Sequence, residues 1–110
     1  MGNLIIAERK GERFTLLELQ GEIDISTYQN LRRILKKTSP YMNLVVDMAG
    51  VTRIGSSGLG VLMEATNDSR KSGHSLYLSG TTDIVRLAME STGFLAHFTL
   101  TKTVEEALKE

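Results

Sequence analysis

The 110-residue chain has no cysteine, no tryptophan and a single proline, and aromatic side chains make up only 5% of it. Without cysteine there is no disulfide framework, no thiolate zinc site and no cysteine nucleophile. With so few aromatics, recognition of single-stranded bases by stacking loses its main instrument. Charge of one sign is missing as well. Thirteen Lys and Arg offset thirteen Asp and Glu, which removes the electrostatic case for a nucleic-acid or anionic-membrane partner. Long apolar runs are also absent. Leu4–Ala7 is too short for a signal-peptide core, and no later stretch approaches a membrane span. The expectation is a cytoplasmic protein with no nucleic-acid partner and no membrane insertion. A chain of this length fits one domain over residues 1–110 and can bury a core without staples.

What is present alternates in period. Leu4–Ala7 and Phe14–Leu19 read as two strands of a hairpin turning near Gly11. "GEID" at 21–24 ends the second strand, and Ser26 or Thr27 is placed to cap a helix running to about Thr38. Tyr28, Leu31, Ile34 and Leu35 share one face of that helix. Arg32, Arg33, Lys36 and Lys37 turn mostly to water, the last of them suiting the negative pole of the helix. Pro40 ends the segment. Leu44–Met48 reads as a central strand buried on both faces. A second helix carries Leu59, Leu62, Met63 and Thr66 and stops at Gly73. "SLYL" at 75–78 is a strand. Ile84, Leu87, Ala88 and Ser91 repeat at helical spacing before Gly93. "HFTL" at 97–100 reads as a short strand and "TVEEALKE" at 103–110 as a closing helix. The order ββαβαβαβα predicts an α/β domain with a mixed, mostly parallel sheet of about five strands flanked by about four helices.

The chemistry, if any, centres on "TRIGSSGLGVLME" at 52–64. A nucleophile elbow needs G-x-S-x-G. Ser57 has Gly55 before it but Leu59 after it, and Ser56 has Ile54 before it, so the spacing fails. His74 and His97 are the only candidate bases and neither has a catalytic context. A P-loop would put lysine where Val61 stands, and a dinucleotide loop begun at Gly58 and Gly60 meets Met63 where its third glycine belongs. The geometry that survives is a strand feeding a loop at a helix start, where free N–H groups and the helix dipole favour an anion. Ser56 or Ser57 would cap that helix. Two serines among glycines exceed what a cap needs, and a phosphate on one of them would be tolerated at the helix end while adding charge to a contact surface.

Taken together, these residues resemble a known family. "VTRIGSSGLGVLM" is similar to the signature loop of bacterial anti-sigma factor antagonists, the STAS domain family, written D-S-[SAT]-G-L-G. "LQGEIDISTYQNLR", "NLVVDMAGV" and "SGTTDIVRLAMESTGF" resemble its flanking segments, in order and at matching spacing over nearly the whole chain. The resemblance implies a single STAS-type domain with no enzymatic activity and no cofactor. Its implied partner is an anti-sigma factor, a serine kinase of GHKL type that phosphorylates the serine after the signature aspartate and is thereby released. A phosphatase that reverses the modification is a further partner it suggests. Carried over by position, the phosphoacceptor is Ser56 and Ser57 is its neighbour and helix cap. Gly58, Leu59 and Gly60 match the "GLG", and Asp24 ends the acidic loop near the acceptor. With Gly55 these seven form the implied partner-binding set. Gly55 is also the departure, standing where the family has its aspartate. It removes a carboxylate from kinase recognition and, as glycine, is expected to loosen the loop. The departure motivates a second reading: a constitutive, unphosphorylated STAS subunit of a larger signalling or transport assembly.

Overall fold

A computed structural model describes residues 2–110. In chain order it comprises β1 (Leu4–Lys10), β2 (Thr15–Ile23), α1 (Tyr28–Thr38), β3 (Leu44–Ile54), α2 (Ser56–Lys71), β4 (Leu76–Ser79), α3 (Asp83–Ser91), a 3-10 turn (Leu95–His97), β5 (Leu100–Thr101) and α4 (Val104–Leu108). The sheet runs β1-β2-β3-β4-β5, with β1 antiparallel to β2 and every later pair parallel. It is an α/β domain with the mixed five-stranded sheet and four α-helices that the alternation predicts.

Each parallel step moves one strand along the sheet in the same direction. Right-handed crossovers then put α1, α2 and α3 on the same face. Their apolar stripes close the main core there: Leu31 and Leu35 from α1, Leu59 and Leu62 from α2, Val85 and Met89 from α3, against Leu17, Leu19, Val46, Met48 and Leu78 of the strands. Burying each of the leucines contributes about 1.5–3 kcal/mol. The short α4 covers part of the other face, where Ala107 meets Phe14 and Val45. Val45 and Val46, consecutive in β3, are both fully buried, as a central strand covered on both sides requires.

Several boundaries move. β3 runs on to Ile54, six residues past the apolar run, because the ladder to β2 continues through Gly50, Val51, Arg53 and Ile54 after β4 has ended. β1 likewise extends through charged residues 8–10 on the strength of its pairing with β2. The last strand is only Leu100–Thr101, with Leu95–His97 taken into the 3-10 turn. The stripe assigned to α3 is displaced by one residue. Val85 and Met89 face the core, while Ile84 and Leu87 stand 63% and 62% exposed. Gly73 and Gly93, at φ 76° and 77°, terminate α2 and α3 as expected.

Candidate functional site

The parallel strands β2 and β3 end level with one another, Ile23 beside Ile54. The loops leaving them are joined by one hydrogen bond, in which Gly55 N–H donates to Ile23 C=O at 2.9 Å. Asp24 follows one end of that bond and Ser56 follows the other. A cleft of about 360 Å³ lies along this seam, lined among others by Glu22, Asp24, Arg53 and Gly55.

Gly55, not a serine, is the N-cap of α2. Its carbonyl accepts from Leu59 N–H at 3.1 Å, and no side chain caps the helix. β3 reaches Ile54, so the helix begins one residue earlier than a serine cap would allow. Ser56 and Ser57 occupy its first two positions, Ser56 exposed and Ser57 half-buried. The Ser56 hydroxyl is therefore uncommitted at the positive end of a sixteen-residue helix. Nor does Gly55 loosen the loop. Its φ of −98° and ψ of 179° are open to any residue, and a Cβ there would meet only Ile23 O at 3.9 Å. The missing carboxylate is a chemical difference and not a conformational one.

The rest of the motif divides sharply. Gly58 is buried, and a Cβ on it would lie 2.5 Å from Ile23 Cγ2 and 2.9 Å from Ile54 Cγ1. Leu59 is 1% exposed in the core. Both act by seating α2 on the strand ends. Gly60 is exposed with open space where a side chain would go.

Asp24 is built into the turn that starts α1. Its Oδ1 accepts from Ser26 N–H at 2.9 Å and from the Ser26 hydroxyl at 2.6 Å. Its carbonyl accepts from Tyr28 N–H at 2.9 Å. The Ser26 hydroxyl and amide hold the Asp24 carboxyl below the usual carboxylate range, so it is ionised at neutral pH. Neither Ser26 nor Thr27 caps α1 in the expected way. The Ser26 hydroxyl is spent on Asp24, and Thr27 Oγ1 accepts from Asp24 N–H at 2.9 Å while donating to Glu22 C=O at 2.8 Å. The loop is braced by its own side chains.

Two features escape a reading of the sequence alone. Arg53 reaches Glu22 across the cleft at 3.8 Å, a pairing visible only once β2 and β3 are in register. Ile25, at the tip of the braced loop, is 82% exposed. Its signal was an isoleucine belonging to no apolar period. Among the described residues no helix is long and apolar enough to cross a membrane.

A family model described as STAS domain matches residues 5–107. Among solved structures the fold is similar to an anti-sigma factor antagonist from Mycobacterium paratuberculosis (22% identity, TM-score 0.85, 97% of this chain and 92% of that one). It is similar also to the anti-sigma factor antagonist SpoIIAA in its unphosphorylated form (16%, 0.79, 96% and 94%). The Bacillus cell fate determinant SpoIIAA in its phosphorylated form gives 16%, 0.73, 96% and 97%. The fold recurs inside a longer chain too, the murine anion transporter Slc26a9, where 92% of this chain matches 18% of that one at 14% identity and TM-score 0.77. At these identities the likeness is one of fold.

Proposed function

This chain belongs to the STAS domain family, and from that premise we propose that it is an anti-sigma factor antagonist acting by partner switching. Unmodified, it binds an anti-sigma factor serine kinase of GHKL type and so frees the kinase's client. Ser56 Oγ bonds to the γ-phosphorus of ATP as the bond to the bridging oxygen breaks and ADP leaves, the hydroxyl proton passes to a base of the kinase or to water, and the modified protein is released. A phosphatase resets the cycle.

The observation that carries this reading is the state of Ser56: exposed, unused as a cap, and fixed at the first turn of a helix seated on the strand ends. The positive pole of α2 tolerates a phosphate there, so modification need not unfold the domain. The phosphate adds about −1.5 to −2 charges beside a cleft lined by Asp24, Glu22 and Arg53, the last already facing Glu22. A partner that covers the seam would have to desolvate that charge, which weakens the complex. Support comes also from SpoIIAA, an antagonist of the same fold known in unphosphorylated and phosphorylated forms. Contact with the kinase falls to Asp24, Gly55, Ser56, Ser57 and Gly60, while buried Gly58 and Leu59 hold these in place.

Calorimetric titration of the purified kinase tests the switch. Ser56→Ala should bind within a few-fold of the unmodified protein, and Ser56→Asp at least tenfold more weakly. Equal affinity for the two variants would sink it. The second reading, a constitutive subunit of a larger signalling or transport assembly, is favoured by glycine at position 55 and by the occurrence of this fold within a transporter chain. It predicts a stable complex indifferent to both substitutions.

A further inference from the structure

In a parallel sheet the chain leaves every strand at the same end, and the face taken by the following helix decides whether neighbouring connections run together or part. The connections from β2, β3 and β4 lead to α1, α2 and α3 on one face. The connection from β5 leads to α4 on the other, where Ala107 packs with Phe14 and Val45. Between β4 and β5, and at no other parallel pair among the described residues, neighbouring connections diverge. The strand order does not reverse there, but the connections part as they do at the switch points of open α/β sheets, whose ligands bind in the crevice outside the carboxyl ends of the strands. Here a crevice of about 360 Å³ is lined among others by Gly80 and Thr81 after β4, Thr101 and Lys102 at the end of β5, Arg86 of α3 and Glu106 of α4.

Its floor is fixed by hydrogen bonds. The Ser79 and Thr101 hydroxyls share one of 2.6 Å, Thr101 Oγ1 donates to Thr103 C=O at 3.0 Å, and Gly80 N–H donates to Thr101 C=O at 3.0 Å. Its walls carry charge that the chain leaves largely unanswered. Lys102 and Glu106 take part in none of the described ion pairs, and Arg86 has only Glu90, at 3.6 Å on its own helix. An exposed pair of that kind is weak and yields to a better partner. Two cations from different elements therefore face one crevice together with a single carboxylate.

We propose that this crevice binds a small phosphate monoester that also carries a free hydroxyl. The phosphate sits between the Arg86 guanidinium and the Lys102 ammonium, with the Thr81 hydroxyl as a further donor, and Glu106 accepts from the hydroxyl of the ligand. Two cations suit a phosphate monoester, close to doubly charged at neutral pH, better than a singly charged carboxylate. The volume falls at the lower end of small-molecule pockets, about 300–1,000 Å³. The crevice shares no lining residue with the cleft beside Ser56, so the proposal stands apart from the phosphorylation of that serine.

Amide chemical-shift titration of the full chain tests it, with glycerol 3-phosphate, inorganic phosphate and glycerol as probes. Glycerol 3-phosphate should shift the Thr81 and Lys102 amides saturably at millimolar concentration and bind at least threefold more tightly than inorganic phosphate, while glycerol should shift neither. Arg86→Gln and Lys102→Gln, both at exposed positions, should each weaken binding at least fivefold with unchanged melting temperature. Lys10→Gln, paired with Thr15 at the opposite end of the sheet, should stay within twofold. Glu106→Ala removes a negative charge that opposes both phosphates, so its signature is the ratio: the two affinities should become equal. Shifts that never saturate, or that are the same in the Arg86 and Lys102 variants, would mean an adventitious ion only and overturn the proposal. Binding confined to vesicles of phosphatidylcholine and phosphatidic acid would make a lipid headgroup the source of the phosphate and overturn it equally.

Discussion

Gly58 and Gly60 stand two residues apart on α2 and face opposite worlds. Gly58 lies against Ile23 and Ile54, with no room for a methyl group, whereas Gly60 opens to solvent with nothing within 4 Å. The same Gly→Ala change should therefore carry opposite signs. The inner face of this helix answers to the core, and its glycine is required sterically. The outer face gives up helix propensity, since an interior glycine costs about 0.5–1 kcal/mol relative to alanine. That sacrifice is intelligible if a partner's backbone must approach closely beside Ser56.

The largest effects belong to the inner face. Ile23→Ala should destabilise by about 2–5 kcal/mol, and Gly58→Ala by about 1–3 kcal/mol through overpacking. The clash involves Ile23 Cγ2, so the two losses should not add. In chemical denaturation, Gly58→Ala should cost at least about 1 kcal/mol less in the Ile23→Ala background. Strict additivity would mean that Gly58 is not seated on Ile23.

Next come the helix surfaces. Gly60→Ala should raise stability by about 0.5–1 kcal/mol while lowering affinity for the kinase. A gain in both would remove the case for a contact on this face. On the flank towards α1, Glu64 joins Arg32 at 2.9 Å and Lys36 at 3.2 Å, and Lys36 also reaches Asp68. Exposed pairs contribute about 0.2–1 kcal/mol each, so Glu64→Gln should cost about 1 kcal/mol at low salt and less at high salt.

The acid limb sharpens the same contrast. Arg32 first, then Lys36, hold Glu64 below its ordinary pKa, as Ser26 holds Asp24. A carboxylate depressed on folding contributes stability above its unfolded pKa and loses it as pH falls through the folded value. Melting temperature should thus decline below the ordinary carboxylate pKa, and more shallowly in Asp24→Asn and Glu64→Gln. Smallest of all is Gly55→Asp. The backbone and the space admit it, and an aspartate N-cap should add a few tenths of a kcal/mol. A marked loss of stability would show that Gly55 is needed for its conformation.

The alternation of elements was legible because strand and helix periods differ, and the glycine stops at 73 and 93 marked helix ends directly. What escaped has particular causes. β3 beyond Met48 passes through Ala49 and Gly50, which weaken a strand, before the β-branched Val51, Thr52 and Ile54, and it runs unbroken across that gap because β2 continues beside it. In α3 two apolar stripes lie one residue apart, and only tertiary packing chooses Val85 and Met89 over Ile84 and Leu87. At the site, the motif gave away the serines and glycines but not the division of labour among them. Whether Gly58 or Gly60 carries the steric demand depends on Ile23, thirty-five residues earlier in the chain.

The central claim is that Ser56 is the residue on which the partner switch turns. Intact mass with peptide mapping on protein isolated from its native host, beside Ser56→Ala, tests it most directly. The account predicts a single phosphate on Ser56 that disappears in the variant. Ser56 unmodified under every growth condition, in a complex that persists regardless, would contradict it.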